Sequence, residues 1–118
     1  MPFDPDAVRR RLEDMHHHIV LAQAFAEGMS YDALRNDLRT TYAVIRCLEI
    51  ISEASRRLPD ELKARHPSIQ WRDMAAAGNI YRHDYEDVAA RGIWDTLRLH
   101  LPPLRTVIEQ ELAAFSSP

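Results

Sequence analysis

Apolar residues recur at steps of three and four along most of the chain, the pattern of helices buried along one face. The first stripe is Leu12, Met15, Ile19, Ala22, Ala26 and Met29. It opens on Asp4-Pro5, an N-cap followed by the residue that favours the first helical position. Phe3 and Val8 are spaced to close a hydrophobic staple around that cap. Gly28 suits a stop, and Ser30 begins a short connection through Tyr31 and Leu34. A second helix is expected over about residues 37 to 58, with Thr41, Val44, Leu48, Ile51, Ser55 and Leu58 as its inner stripe. Tyr42, Ile45, Glu49 and Glu53 lie beside that stripe. Pro59-Asp60 interrupts it, and one more turn or two fits before the loop His66-Pro67-Ser68. A third helix starts near Trp71 and contains Met74-Ala75-Ala76-Ala77-Gly78, small side chains that let another helix come close. The last region, about 87 to 115, carries Ile93, Leu97, Leu101, Leu104, Ile108, Leu112 and Phe115 on its apolar side. Pro102-Pro103 must kink or split it, because two backbone donors are missing. No segment alternates in the manner of a strand. Long helices on short loops predict an all-α protein, an antiparallel bundle of four or five helices. The 118 residues fit one domain over 1–118.

Composition narrows the class further. With 46% hydrophobic and 28% charged residues the chain is too apolar to be disordered, and it is long enough to bury a core without staples. A net charge of −3 excludes nucleic-acid binding by bulk charge. All but one of the 15 basic residues are Arg, the better fork for phosphate or carboxylate, and the exception is Lys63. Cys47 stands alone, so no intrachain disulfide can form. Met1-Pro2-Phe3-Asp4-Pro5 does not read as a leader, and no stretch approaches the roughly 20 apolar residues of a membrane helix. A cytoplasmic protein without a membrane partner is expected.

Most candidate chemistry reads as ordinary structure. His16-His17-His18 are successive, so on a helix they point about 100° apart and cannot share one ion. No metal or cofactor is expected there. His66 and His100 lack partners at helical spacing, and no CxxC, HExxH, GxGxxG, P-loop or GxSxG occurs. Cys47, inside an apolar stripe, reads as a small core residue. Glu49 and Glu53 form an i, i+4 carboxylate pair, but Arg46, Arg56 and Arg57 flank them, which reads as ion pairing. The segment after Trp71 differs. If that helix continues to Glu86, then Ala75, Ala76, Asn79, Arg82, His83 and Glu86 share one face, with Met74, Ala77 and Tyr81 turned to the core. Such a face suits a phosphate or another anion. His83 would serve as acid or base near neutral pH, with Asn79 one turn earlier to orient its ring. The same pattern also fits a solvated helix face.

Three stretches carry a family resemblance. They are Leu48-Glu49-Ile50-Ile51-Ser52-Glu53-Ala54-Ser55-Arg56-Arg57-Leu58, His66-Pro67-Ser68-Ile69-Gln70-Trp71-Arg72-Asp73, and Asn79-Ile80-Tyr81-Arg82-His83-Asp84-Tyr85. In that order, over about residues 8 to 112, the chain resembles the HepT-like family of the HEPN superfamily. The resemblance implies a helical bundle that forms a homodimer and serves as the toxin of a two-gene toxin–antitoxin module. The implied partner is a minimal nucleotidyltransferase antitoxin, and active members of the family are metal-independent ribonucleases. The family signature is Arg, four residues, His, one residue, Tyr. His83 and Tyr85 match it, Asn79 matches the Asn that often follows the Arg, and the Arg position itself is Gly78. The departure removes the residue expected to meet the scissile phosphate. Two readings follow. In one the chain is an endoribonuclease with His83 as acid/base and Arg82 in place of the missing Arg. In the other it is a non-catalytic module that docks onto the nucleotidyltransferase, or binds a nucleotide, through Asn79, Arg82 and His83. A bundle without chemistry, its polar face a dimer contact, is a further alternative beside these two. The resemblance also makes Tyr85 the residue to which the partner attaches AMP.

Overall fold

The structure is a computed structural model that describes the backbone of residues 4–80 and 86–116, and the side chains of 4–77 and 89–115. Helix α1, Pro5–Phe25, begins as its sequence dictates. Pro5 occupies the first turn, and the Asp4 carboxylate accepts the N–H of Asp6 at 3.0 Å. Leu12, Met15, Ile19 and Ala22 are fully buried, while Ala26 and Met29, past the helix end, pack half-buried against the same core. Gly28 turns the chain with φ +76°, a left-handed conformation that costs a residue with a Cβ. The stretch after Ser30 is not the plain connection expected. Ser30 Oγ accepts the Ala33 N–H at 3.1 Å and caps a six-residue helix, α2, Tyr31–Asn36. One buried side chain, Leu34, is too short a record for periodicity to show.

Asp37 both closes α2 and opens α3, Leu38–Arg56. Its carboxylate accepts the Thr40 N–H at 3.0 Å and the Thr40 hydroxyl at 2.9 Å, which hold it below the usual carboxylate range. The six residues of the expected inner stripe are all buried. Cys47 is buried with them, and burial pushes its thiol pKa up, as suits a core residue. After Pro59 come α4, Asp60–Ala64, and then α5, Trp71–Ile80. The Trp71 indole fastens the start of α5 to the preceding loop by donating to the carbonyls of Lys63 and His66, both at 3.1 Å.

The final helical run consists of α6, Glu86–Asp95, a π-helical turn, Thr96–His100, and α7, Leu101–Ser116. The split expected from the double proline takes the form of that turn. Pro102 and Pro103 cannot donate to the carbonyls four residues back, and a proline ring crowds the carbonyl at that position. The N–H of Leu101 instead bonds five residues back, to Thr96, and the wider turn carries the chain past the prolines. Thr96 is held there by its own hydroxyl, which donates to the Gly92 carbonyl at 2.9 Å.

Cross-helix bonds give the direction of packing. His16 of α1 meets Glu109 of α7, and Gln23 of α1 meets Arg105 of α7, so rising numbers on one face falling numbers on the other. Arg11, near the start of α1, reaches the Arg57 carbonyl at the end of α3. Both pairs are antiparallel. One apolar cluster joins α1 to α7, with Leu12, Leu48, Ile51, Ile93 and Ile108 among its members. The protein is an all-α helical bundle, with no strand among the described residues.

Candidate functional site

The sequence points to residues 78–85. Arg82, His83 and Tyr85 lie outside the described residues, as does the side chain of Asn79, so the expected alignment of 75, 76, 79, 82, 83 and 86 on one face lies outside them too. What is described is the frame on both sides of that segment. Helix α5 leads into it as far as Ile80, and α6 leaves it from Glu86. Met74 is buried in the core, and Ala77 is half-buried on the same side of α5.

The firmest tie on α5 is at Ala75. Its carbonyl accepts three side-chain donors from α3: Ser52 Oγ at 2.7 Å, Arg56 Nε at 3.0 Å and Arg56 Nη2 at 2.8 Å. Arg56 also donates through Nη1 to Glu53 at 2.8 Å, and Arg57 takes the other Glu53 oxygen at 3.0 Å. Arg46 stands 3.7 Å from Glu49. The carboxylate pair is thus ion-paired, as its arginine flanks suggested. Sequence reasoning missed the cross-helix reach of Arg56. Nothing in the local pattern distinguishes an arginine serving its neighbour from one that also spans to another helix.

Two grooves flank this region. One, about 330 Å³, lies between α1 and α3 and is lined by Arg11, Arg46, Arg56 and Arg57 with Asp14, Glu49 and Glu53. The other, about 380 Å³, lies between α5 and the π-helical turn. It is more apolar, and its carboxylates, Asp73 and Asp95, carry the wrong sign for a phosphate. The basic groove is therefore the one suited to an anion.

The histidine triplet serves α1 rather than a shared ligand. His16 Nε2 meets Glu109 at 2.9 Å, His18 Nδ1 meets the Asp14 carbonyl at 2.7 Å, and His17 is exposed, edge-on to the His18 ring. Glu109 is held below the usual carboxylate range by His16 and then by Arg105. His66, which lacks a neighbour at helical spacing, finds one 45 residues away. Its Nε2 lies 2.6 Å from Glu111, and Arg65 grips the same carboxylate at 2.8 and 3.3 Å. Arg65 first, and His66 after it, hold the Glu111 carboxyl below its usual range against the opposing effect of burial. Among the described residues no three of His, Cys, Asp and Glu gather as metal ligands, and no helix is long and apolar enough to cross a membrane.

An all-α antiparallel bundle, with Asn79, His83 and Tyr85 in the order of the signature, defines the class as HEPN-like. The chain belongs to the ribonuclease HepT-like family, whose sequence model matches residues 15–111. It is 37% identical over 99 residues to a probable ribonuclease HepT of Thermococcus cleftensis, covering 84% of this chain and 90% of that protein. It is 32% identical over 95 residues to a candidate RNase of Methanocaldococcus jannaschii, covering 80% and 78%. A candidate RNase of Caldanaerobacter subterraneus is 33% identical over 86 residues, covering 73% and 77%. No solved structure matches the chain.

Proposed function

We propose that this chain is the toxin of a HepT-type toxin–antitoxin pair, a homodimeric, metal-independent endoribonuclease with His83 at its centre. The observation that carries the reading is the family match over residues 15–111, a range that includes Asn79, His83 and Tyr85. RNA offers its own nucleophile. His83 takes the proton of a 2′-hydroxyl, and the 2′-oxygen bonds to the adjacent phosphorus. The bond from phosphorus to the 5′-oxygen breaks, and a protonated His83 of the second copy gives that oxygen a proton. The products are a 2′,3′-cyclic phosphate and a 5′-hydroxyl end. Charge builds on the phosphoryl oxygens along this path, and losing one fixed donor there commonly costs about a hundredfold. Position 78 is Gly, so the donor comes from elsewhere, and Arg82 is adjacent to His83. Asn79, four residues before His83, orients its ring. A minimal nucleotidyltransferase is the partner that silences the toxin.

Purified protein incubated with total RNA tests this. The wild type cleaves, His83→Ala does not, and Arg82→Ala falls about as far, because both groups act on one transition state and their effects overlap. Arg82→Lys recovers only part, since a point charge replaces a fork. Gly78 favours a second reading, a module that binds the nucleotidyltransferase or a nucleotide without cutting RNA. Intact RNA with wild-type protein would select it.

A further inference from the structure

We infer that Arg56, on α3, is a phosphate-binding residue of the ribonuclease site and adds from another helix a second cation, beside that of Arg82, where position 78 carries none. The inference rests on the ribonuclease reading above.

Helix carbonyls point toward the C-terminal end, so whatever binds the Ala75 oxygen lies alongside the next turn. That turn holds positions 78 and 79, three and four residues on from Ala75 and on its face of the helix. Arg56 sits on this oxygen through two nitrogens, at 3.0 and 2.8 Å, which places its guanidinium level with the vacated signature position. The positive charge is thus near where the family pattern puts it, carried by α3 instead of α5.

A purely structural staple would not need that charge. Ser52 already donates to the same carbonyl at 2.7 Å with a neutral hydroxyl. A guanidinium has five N–H donors, and Arg56 uses three of them, on Ala75 and Glu53. One N–H on Nη1 and one on Nη2 remain to meet phosphate oxygens. The side chain is 40% exposed and lines the basic groove, so a ligand can reach it. Glu53 would repel a phosphate, but Arg56 and Arg57 both hold it at 3.0 Å or less. Arg11 and Arg46 line the same groove.

The test uses the full-length protein and a short fluorescein-labelled single-stranded RNA. Cleavage is measured for wild type, Arg56→Gln, Arg56→Lys and Ser52→Ala, each below its melting temperature. Arg56→Gln should lose about a hundredfold, mostly in kcat. Arg56→Lys should retain more than Arg56→Gln because it keeps the charge, and Ser52→Ala should stay close to wild type. Binding is then followed by anisotropy against salt in a His83→Ala background. Adding Arg56→Gln should flatten the slope of log affinity against log salt by about 0.7, the loss of one phosphate contact on a single strand. Cleavage by Arg56→Gln at the wild-type rate would overturn the inference. So would equal losses in Arg56→Gln, Arg56→Lys and Ser52→Ala with an unchanged salt slope, the result of a staple. If wild-type protein does not cut RNA, the ribonuclease reading fails on its own. The salt slope then decides Arg56 alone: flattening keeps it as a phosphate contact, and an unchanged slope removes it.

Discussion

At the scale of residues, the polar contacts that matter are those that cross between helices. Glu111 is the clearest case. Its side chain is only 11% exposed and is shared by Arg65 and His66, which ties α7 to the chain between α4 and α5. A carboxyl whose folded pKa is depressed stabilises the fold fully above the ordinary glutamate range and loses that contribution as pH falls through the folded value. Glu111→Gln should therefore lower unfolding stability at pH 7 by about 1–2 kcal/mol, the upper range being reduced by the exposure of Arg65. As pH falls below the ordinary glutamate range and through the folded value, the gap between variant and wild type should shrink, because the wild-type carboxylate is being protonated. Urea unfolding followed from pH 7 downward checks this, and a gap that stays constant would refute it. No local pattern hints at this contact, since Glu111 and His66 lie 45 residues apart.

At the scale of elements, local chemistry set most of the boundaries. Asp4, Ser30 and Asp37 each cap the helix that follows them, and Pro59 precedes the next. Gly28 is the position where backbone freedom is needed. Its φ is +76°, and a Cβ built there would meet nothing within 4 Å. Gly28→Ala should accordingly cost about 1 kcal/mol through backbone strain alone, and Gly28→Asn less, because Asn tolerates the left-handed region. Thermal melting of the two variants measures it, and an Ala variant as stable as wild type would show that the turn relaxes. The π-helical turn at 96–100 is the element that pattern reading described least well. The apolar stripe runs through it from Ile93 to Ile108, and the two prolines fix where an interruption must fall without fixing its form.

At the scale of the whole molecule, the bundle presents a surface that, in the proposed function, a second copy and a nucleotidyltransferase must both reach. In that reading Tyr85 is the acceptor of AMP. The acidic surround of Asp84, Glu86 and Asp87 suits an exposed phenol, and AMP attached there would set a charged phosphodiester near Arg82 and His83, barring RNA. Incubation with the cognate nucleotidyltransferase, ATP and magnesium should raise the intact mass by one AMP and abolish cleavage. Tyr85→Phe should show neither effect, and a mass increase that survives this substitution would move the acceptor elsewhere. Light scattering should give twice the 13.6 kDa chain mass at micromolar concentration.

The sequence alone determined the long helices, their buried faces and the family. Periodicity and capping are local, and a family is written in side-chain identity and order. The stripes through Leu12, Leu48 and Ile108 needed no tertiary information to read. Tertiary structure decided what lies opposite what. It put His66 and Arg65 on Glu111, and His16 on Glu109. It sent Arg56, which reads as a partner for its neighbour Glu53, across to the Ala75 carbonyl one turn below Gly78. The physical reason is that a long arginine on a helix can serve either an i, i+3 neighbour or another helix. Only the packing of α3 against α5 shows that this one does both.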